Sequence, residues 1–152
     1  GVLFGYGPLL AALPDGANWA AVTAWLLLVL LGTTASDTGA YFAGSFLGRH
    51  KMAPHISPAK TWEGFAGGVL ATVAVALAFA GLLKLDWIEA LLLGLLVCIA
   101  AVVGDLCESM LKRAARVKDS GNIIPGHGGI LDRIDSVLFV MLAVYWFTKV
   151  SG

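Results

Sequence analysis

Charge is what this sequence has least of. Of its 152 residues, 13% are Asp, Glu, Lys or Arg and 59% are hydrophobic, whereas a soluble domain carries about 25% charged residues. With a mean hydropathy of +0.85, the chain has too few charged groups to wet a globular surface. An ordinary soluble domain is excluded and a membrane protein indicated. A charge excess of one sign is also missing. Ten basic residues balance ten acidic ones, so any basic patch is local, and no nucleic-acid partner is expected.

Cysteine is scarce too. Cys98 and Cys107 are the only two, and nine positions on one helix put them on opposite faces. No C-x-x-C spacing exists, so a disulfide or thiolate metal site is not expected, and both pack as small hydrophobes. His50 and His55 have no cysteine near them, which leaves a zinc site poorly supported. There is no G-x-x-x-x-G-K-[ST] phosphate loop. The opening "GVLFGYGPLLAALP" has no basic n-region and no cleavage site of the signal-peptide kind. It reads as the tail of a helix that starts upstream. The expected organisation is therefore one membrane catalytic domain over residues 1–152, the C-terminal part of a longer chain.

What is abundant is apolar sequence. Hydropathy marks four segments, at residues 19–36, 64–83, 87–104 and 136–148. A spanning helix needs roughly 20 residues. The first two reach that length, and the third does if Glu89 lies among headgroups. The fourth covers only about 20 Å of a ~30 Å core. Either it is cut short, or its helix begins near Gly129 and carries Asp132, Arg133 and Asp135 to membrane depth, where ionisable groups are expensive and point to function. The expected fold is all-α: a polytopic membrane helix bundle of about four full transmembrane helices plus a partial N-terminal one, with two cytoplasmic catalytic loops.

Those loops carry the bases. Residues 37–63 hold Arg49, Lys51 and Lys60, and residues 105–135 hold Lys112, Arg113, Arg116, Lys118 and Arg133, eight of the ten in all. Helix parity puts both loops on one side, and the positive-inside rule makes that side cytoplasmic. Carboxylates meet the same side. Asp37 follows segment one, Asp105 follows segment three, and Asp132 and Asp135 abut segment four. Asp132 and Asp135 share a helix face at i, i+3, as do Asp105 and Glu108. Taken singly, each could cap a helix or pair with a neighbouring base. Four together suit Mg²⁺, which takes one or two carboxylates plus substrate phosphates. The cluster "KRAARVKD", 112–119, could merely attract anionic lipid. Sharing a loop with carboxylates and the glycine turn "PGHGG", it also matches what a polyphosphate needs. Glycines before a helix start can bind an anion through backbone N–H groups, though a plain turn is the simpler role. Ser57, Lys60 and Thr61 are phosphate-contacting types, and Thr61 with Gly64 equally suits a helix start.

The stretch "SMLKRAARVKDSGNIIPGHGGILDRID", 109–135, resembles the hallmark motif of the phosphatidate cytidylyltransferase (CDP-diacylglycerol synthase) family. That motif reads S, K-R, K-D, P-G-H-G-G and D-R-x-D. It is met here by Ser109, Lys112-Arg113, Lys118-Asp119, Pro125 to Gly129, and Asp132-Arg133 with Asp135. "SDTGAYFAGSFLGRHKMAPHISPAKTWEG", 36–64, and "GDLCES", 104–109, are similar to further stretches of the family.

The resemblance implies an enzyme of phospholipid biosynthesis. It would condense CTP with phosphatidic acid in the bilayer, giving CDP-diacylglycerol and pyrophosphate, with Mg²⁺ and room for a second ion. It implies Asp105, Asp132, Asp135 and Asp37 as metal ligands. Lys112, Arg113, Lys118 and Arg133 would hold the triphosphate and lipid phosphate, with Asp119 in the same motif. His127, Gly128 and Gly129 would back the phosphates, and Ser57, Lys60 and Thr61 would complete the site. A phosphate nucleophile is already ionised, so His127 is better suited to binding than to base catalysis. The implied location is the inner or plasma membrane, with the site facing the cytoplasm; a homodimer is compatible with these residues. An isoprenoid glycerol phosphate in place of phosphatidic acid is the nearest alternative. A transporter with intramembrane carboxylates is the remote one, since it would want charge near mid-helix.

Overall fold

Leucine- and alanine-rich runs without proline wind into helices, because nothing in them removes a backbone donor or clashes with the preceding turn. The computed structural model describes residues 19–54, 57–114 and 131–151, except the side chains of Trp19, Ala21, Lys112, residues 131–135 and Ser151. The elements are α1 (Trp19–Leu47), β1 (Lys51–Ala53), β2 (Ser57–Thr61), α2 (Trp62–Leu83), α3 (Trp87–Ala114) and α4 (Leu131–Ser151). Among the described residues, three stretches are long and apolar enough to cross a membrane: Val22–Leu47, Trp62–Leu83 and Trp87–Leu111. The all-α membrane bundle is therefore observed, with one addition. The first loop folds into a small antiparallel hairpin, β1 against β2, with Lys51 opposite Thr61.

Three boundaries differ from the hydropathy reading. Helix α1 runs on from residue 36 to Leu47, and α3 from residue 104 to Ala114. Asp37 and Asp105 therefore lie within helices, not at their ends. Hydropathy drops at the first carboxylate, but the backbone hydrogen-bond ladder does not need apolar side chains to continue. Helix α4 covers Leu131–Ser151, longer at its N-terminal side than the apolar segment from residue 136. Asp132, Arg133 and Asp135 are on the helix. The partial N-terminal helix lies outside the described residues.

The helix ends show why chain direction changes where it does. Thr61 is the N-cap of α2, accepting a hydrogen bond from Gly64 N–H at 3.1 Å. Lys84 closes α2 in the left-handed region at φ 56. Glu89 accepts from Asp86 N–H at 2.9 Å, one half of a capping box at the start of α3.

Leu28 and Val29 of α1, Leu93, Val97 and Ala101 of α3, and Val140 and Val144 of α4 form the buried core. Buried hydroxyls are satisfied locally, as an apolar solvent requires. Thr33 donates to the Val29 carbonyl at 2.7 Å, and Thr72 to that of Gly68 at 3.0 Å. Helices α1 and α2 pack backbone to backbone. A Cβ added at Gly39 would lie 2.6 Å from the Gly67 carbonyl oxygen, and one at Gly67 would lie 2.7 Å from that of Gly39. Small residues at such a crossing let van der Waals contact replace the hydrophobic drive that lipid does not supply.

A valine at position 67 must push α1 and α2 apart. Gly67→Val is expected to destabilise the protein by about 1–3 kcal/mol. Gly81→Ala, at a helix position with nothing within 4 Å of the new methyl, should be neutral or mildly stabilising. Thermal unfolding in detergent distinguishes them, and equal melting of Gly67→Val and wild type would refute the close crossing.

Candidate active site

Extending α1 and α3 past their apolar stretches carries Asp37 and Asp105 to the same place. Asp37 on α1, Lys60 and Thr61 on β2, and Asp105 on α3 line one cavity of about 280 Å³, with Ser57 at its hairpin side. That volume holds several waters at about 30 Å³ each, so neither carboxylate needs full desolvation. The remaining wall is largely apolar, including Tyr41, Met52, Phe65 and Val102.

Lys60 ties the cavity together. Its Nζ lies 2.5 Å from Asp105 Oδ2 and donates to the Val102 carbonyl at 3.3 Å. The two acceptors are i, i+3 on one face of α3. The contact puts the hairpin and the C-terminal part of α3 at the same end of the bundle, as helix parity required. The Lys60 side chain is 19% exposed and that of Asp105 46%. Such a half-wet pair contributes a modest net energy, about 1 kcal/mol or less. Its main effect is geometric, because it fixes where the hairpin stands.

Glu63 holds the same, open end of the hairpin, where Lys51 pairs with Thr61. Its carboxylate accepts from His50 N–H at 3.2 Å and lies 2.7 Å from the His50 ring Nδ1, while Trp62 N–H donates to the His50 carbonyl at 3.0 Å. Sequence reasoning gave Glu63 no role. Its position two residues after the capping threonine, in a first helical turn, is the signal that could have found it. Tyr41 was also missed. It follows Asp37 by four residues, which places both on one face of a helix.

Of the residues named from sequence, Asp37, Ser57, Lys60, Thr61 and Asp105 come together here. The Thr61 hydroxyl already serves as the helix cap. Arg113 is exposed near the end of α3 and does not line the cavity. Lys112 is on the same turn, and Asp132, Arg133 and Asp135 open α4, but their side chains lie outside the described set. Lys118, Asp119, His127, Gly128 and Gly129 lie outside the described residues altogether. One contact nevertheless brings α4 close. A Cβ at Gly104 would lie 3.0 Å from Ser136 Cα, so the residue before Asp105 packs against the residue after Asp135.

Among the described residues no group of three or more His, Cys, Asp or Glu side chains could hold a metal ion. The cavity offers two carboxylates from two helices, a donor set that fits Mg²⁺ sharing its coordination with substrate phosphates and water. It does not fit a zinc site closed by protein ligands.

Apolar helices, a cavity with room for several waters and charged side chains gathered at one end define an integral-membrane helix bundle with a polar site. The chain belongs to the cytidylyltransferase family, whose sequence profile matches residues 2–151. A phosphatidate cytidylyltransferase of Bacillus subtilis is 52% identical over 114 residues, 74% of this chain and 42% of the relative. One from Mycobacterium bovis is 45% identical over 118 residues, 75% of this chain and 38% of the relative. A chloroplastic one from Arabidopsis thaliana is 41% identical over 140 residues, 90% of this chain and 34% of the relative. The chain thus spans less than half the length of these curated relatives.

If Thr61 caps α2 as described, Thr61→Ala lowers stability by about 0.5–2 kcal/mol, and Thr61→Ser restores most of it. Unfolding curves for the three proteins check this; an alanine variant as stable as wild type would remove the capping role.

Proposed function

We propose that this chain carries the catalytic part of a phosphatidate cytidylyltransferase, which transfers the cytidylyl group of CTP to phosphatidic acid. A lipid phosphate oxygen attacks the α-phosphorus of CTP. The bond from that phosphorus to the bridging oxygen breaks, and pyrophosphate leaves. Both reactants are anions, so catalysis is mostly charge neutralisation and alignment. The observation that carries the reading is the cavity in which Lys60 from the hairpin meets Asp105 from α3, with Asp37 from α1 on the same wall. Similarity to named phosphatidate cytidylyltransferases over about three quarters of the chain supports the choice of substrates.

Asp105 and Asp37 would hold Mg²⁺, joined by Asp132 and Asp135 from the start of α4. When bound, the ion would neutralise phosphate charge and polarise the α-phosphate. The chain's own groups do the rest. Lys60 supplies a mobile ammonium for phosphate oxygens, and Ser57 a hydroxyl donor. Lys112, Arg113, Lys118 and Arg133 neutralise the triphosphate and the lipid phosphate. His127, Gly128 and Gly129 would supply further donors to the phosphates. The apolar share of the wall suits a site that must admit a lipid headgroup from the bilayer. Eight of ten basic residues in two loops at one end favour a site facing the cytoplasm.

The test is transfer of label from CTP into lipid by membranes containing the full-length protein. Label should require phosphatidic acid and Mg²⁺ together. Asp105→Asn should lower it by at least about a hundredfold, a loss of roughly 2.7 kcal/mol of transition-state stabilisation. Absence of label with phosphatidic acid in folded wild-type protein would sink the assignment. An isoprenoid glycerol phosphate is then the next acceptor to try.

A further inference from the structure

Lys60 does something that a plain phosphate-binding lysine does not. Its ammonium is already engaged, 2.5 Å from Asp105 Oδ2 and 3.3 Å from the Val102 carbonyl oxygen. That carboxylate is the one the proposed reaction assigns to a divalent cation. An ammonium and a metal ion on the same carboxylate stand only a few ångströms apart, and their like charges repel, so each weakens the hold of the other. The ammonium sits at the end of a flexible four-carbon stem with three donors, so it can be re-aimed without moving the strand that carries it.

We propose that Lys60 is a built-in counter-ion for Asp105. It occupies the carboxylate in the nucleotide-free protein, yields it when a divalent cation arrives with a triphosphate, and passes its ammonium to the phosphates. The proposal rests on Asp105 being a metal ligand in the transferase reading. Its physical basis is the fate of the displaced charge. A cation arriving alone evicts Lys60 and leaves its ammonium, on a side chain that is 19% exposed when paired, beside a new positive charge. A cation arriving with a triphosphate brings the partner that the ammonium needs. Cation and nucleotide therefore assist each other's binding, and the coupling runs through Lys60.

Binding of Mn²⁺, read by electron paramagnetic resonance on the full-length protein in lipid nanodiscs, tests this without turnover. In the wild type, CTP should tighten Mn²⁺ binding by at least about tenfold beyond what free CTP chelates. Lys60→Met should bind Mn²⁺ alone tighter than wild type by up to about fivefold, the value of one partly wet ion pair, and lose most of the coupling. Lys60→Arg should behave like wild type, and Asp105→Asn should lose the site in either background. Equal Mn²⁺ affinity in wild type and Lys60→Met overturns the proposal. So does wild-type binding with no coupling to CTP, a comparison that holds even if the methionine variant fails to fold. Mn²⁺ binding unaffected by Asp105→Asn overturns it as well. Label transfer measured on the same preparations separates the two readings. Transfer with unchanged Mn²⁺ affinity removes the counter-ion role and leaves the transferase. No transfer in wild type removes the transferase, while the Mn²⁺ data, which need no lipid, still decide the role of Lys60.

Discussion

A carboxylate placed within a helix of a membrane bundle needs a counter-charge or water, and most of this site follows from how Asp105 gets both. The counter-charge is Lys60, 42 residues away from its second acceptor, Val102, along the chain. For the lysine to arrive, the segment after α1 must turn back toward α3. It does so as a hairpin whose open end is held both by Lys60 and by His50 with Glu63. For the hairpin to stand there, α1 and α2 must cross closely, and the facing glycines 39 and 67 allow it. Removing any one of these would move the others, because each sets the position of the next. For water, the arrangement leaves open a cavity with room for several molecules.

The packing beneath is of an ordinary kind for a bilayer. Branched and aliphatic residues of α1, α3 and α4 fill the centre, and threonines close their hydroxyls on carbonyls one turn back. Exposed Leu70, Leu82 and Leu92 are no liability on helices whose surroundings are hydrocarbon. The bundle does not need those side chains for its core, so α2 can devote its α1-facing side to glycine and alanine. Close approach of two backbones is thus compatible with a hydrophobic exterior, a combination that a soluble bundle of this size could not sustain.

The existence and order of the helices were legible from apolar runs alone, because hydropathy reports directly on burial in lipid. Their ends were not. Asp37 and Asp105 look like stop signals to any hydropathy window, yet the ladder continues through both to Leu47 and Ala114. The capping groups were partly legible: Thr61 with Gly64 was open between two roles, and the helix-capping one is observed. The hairpin was not legible. Its five-residue strand "SPAKT" contains a proline and no strong alternation, and its position depends on a long-range ion pair rather than on local preference. The meeting of Asp37, Lys60 and Asp105 was legible from charge and helix parity only as a shared side of the membrane, and as one site only through the family resemblance. The distance between them is a tertiary fact that three separate segments must be assembled to produce.

The long helices bear on how such a site can be accurate. At about 1.5 Å per residue, the 29 residues of α1 and 28 of α3 reach roughly 43 Å, beyond a ~30 Å hydrocarbon core. The excess lets helical backbone, rather than loop, carry the charged side chains into the polar zone. A group on a helix is held by its whole hydrogen-bonded turn and is placed more accurately than one on a loop. Reactions between two anions need such placement, since their repulsion grows steeply at the approach that bond formation demands. The carboxylates and the lysine therefore stand on rigid elements.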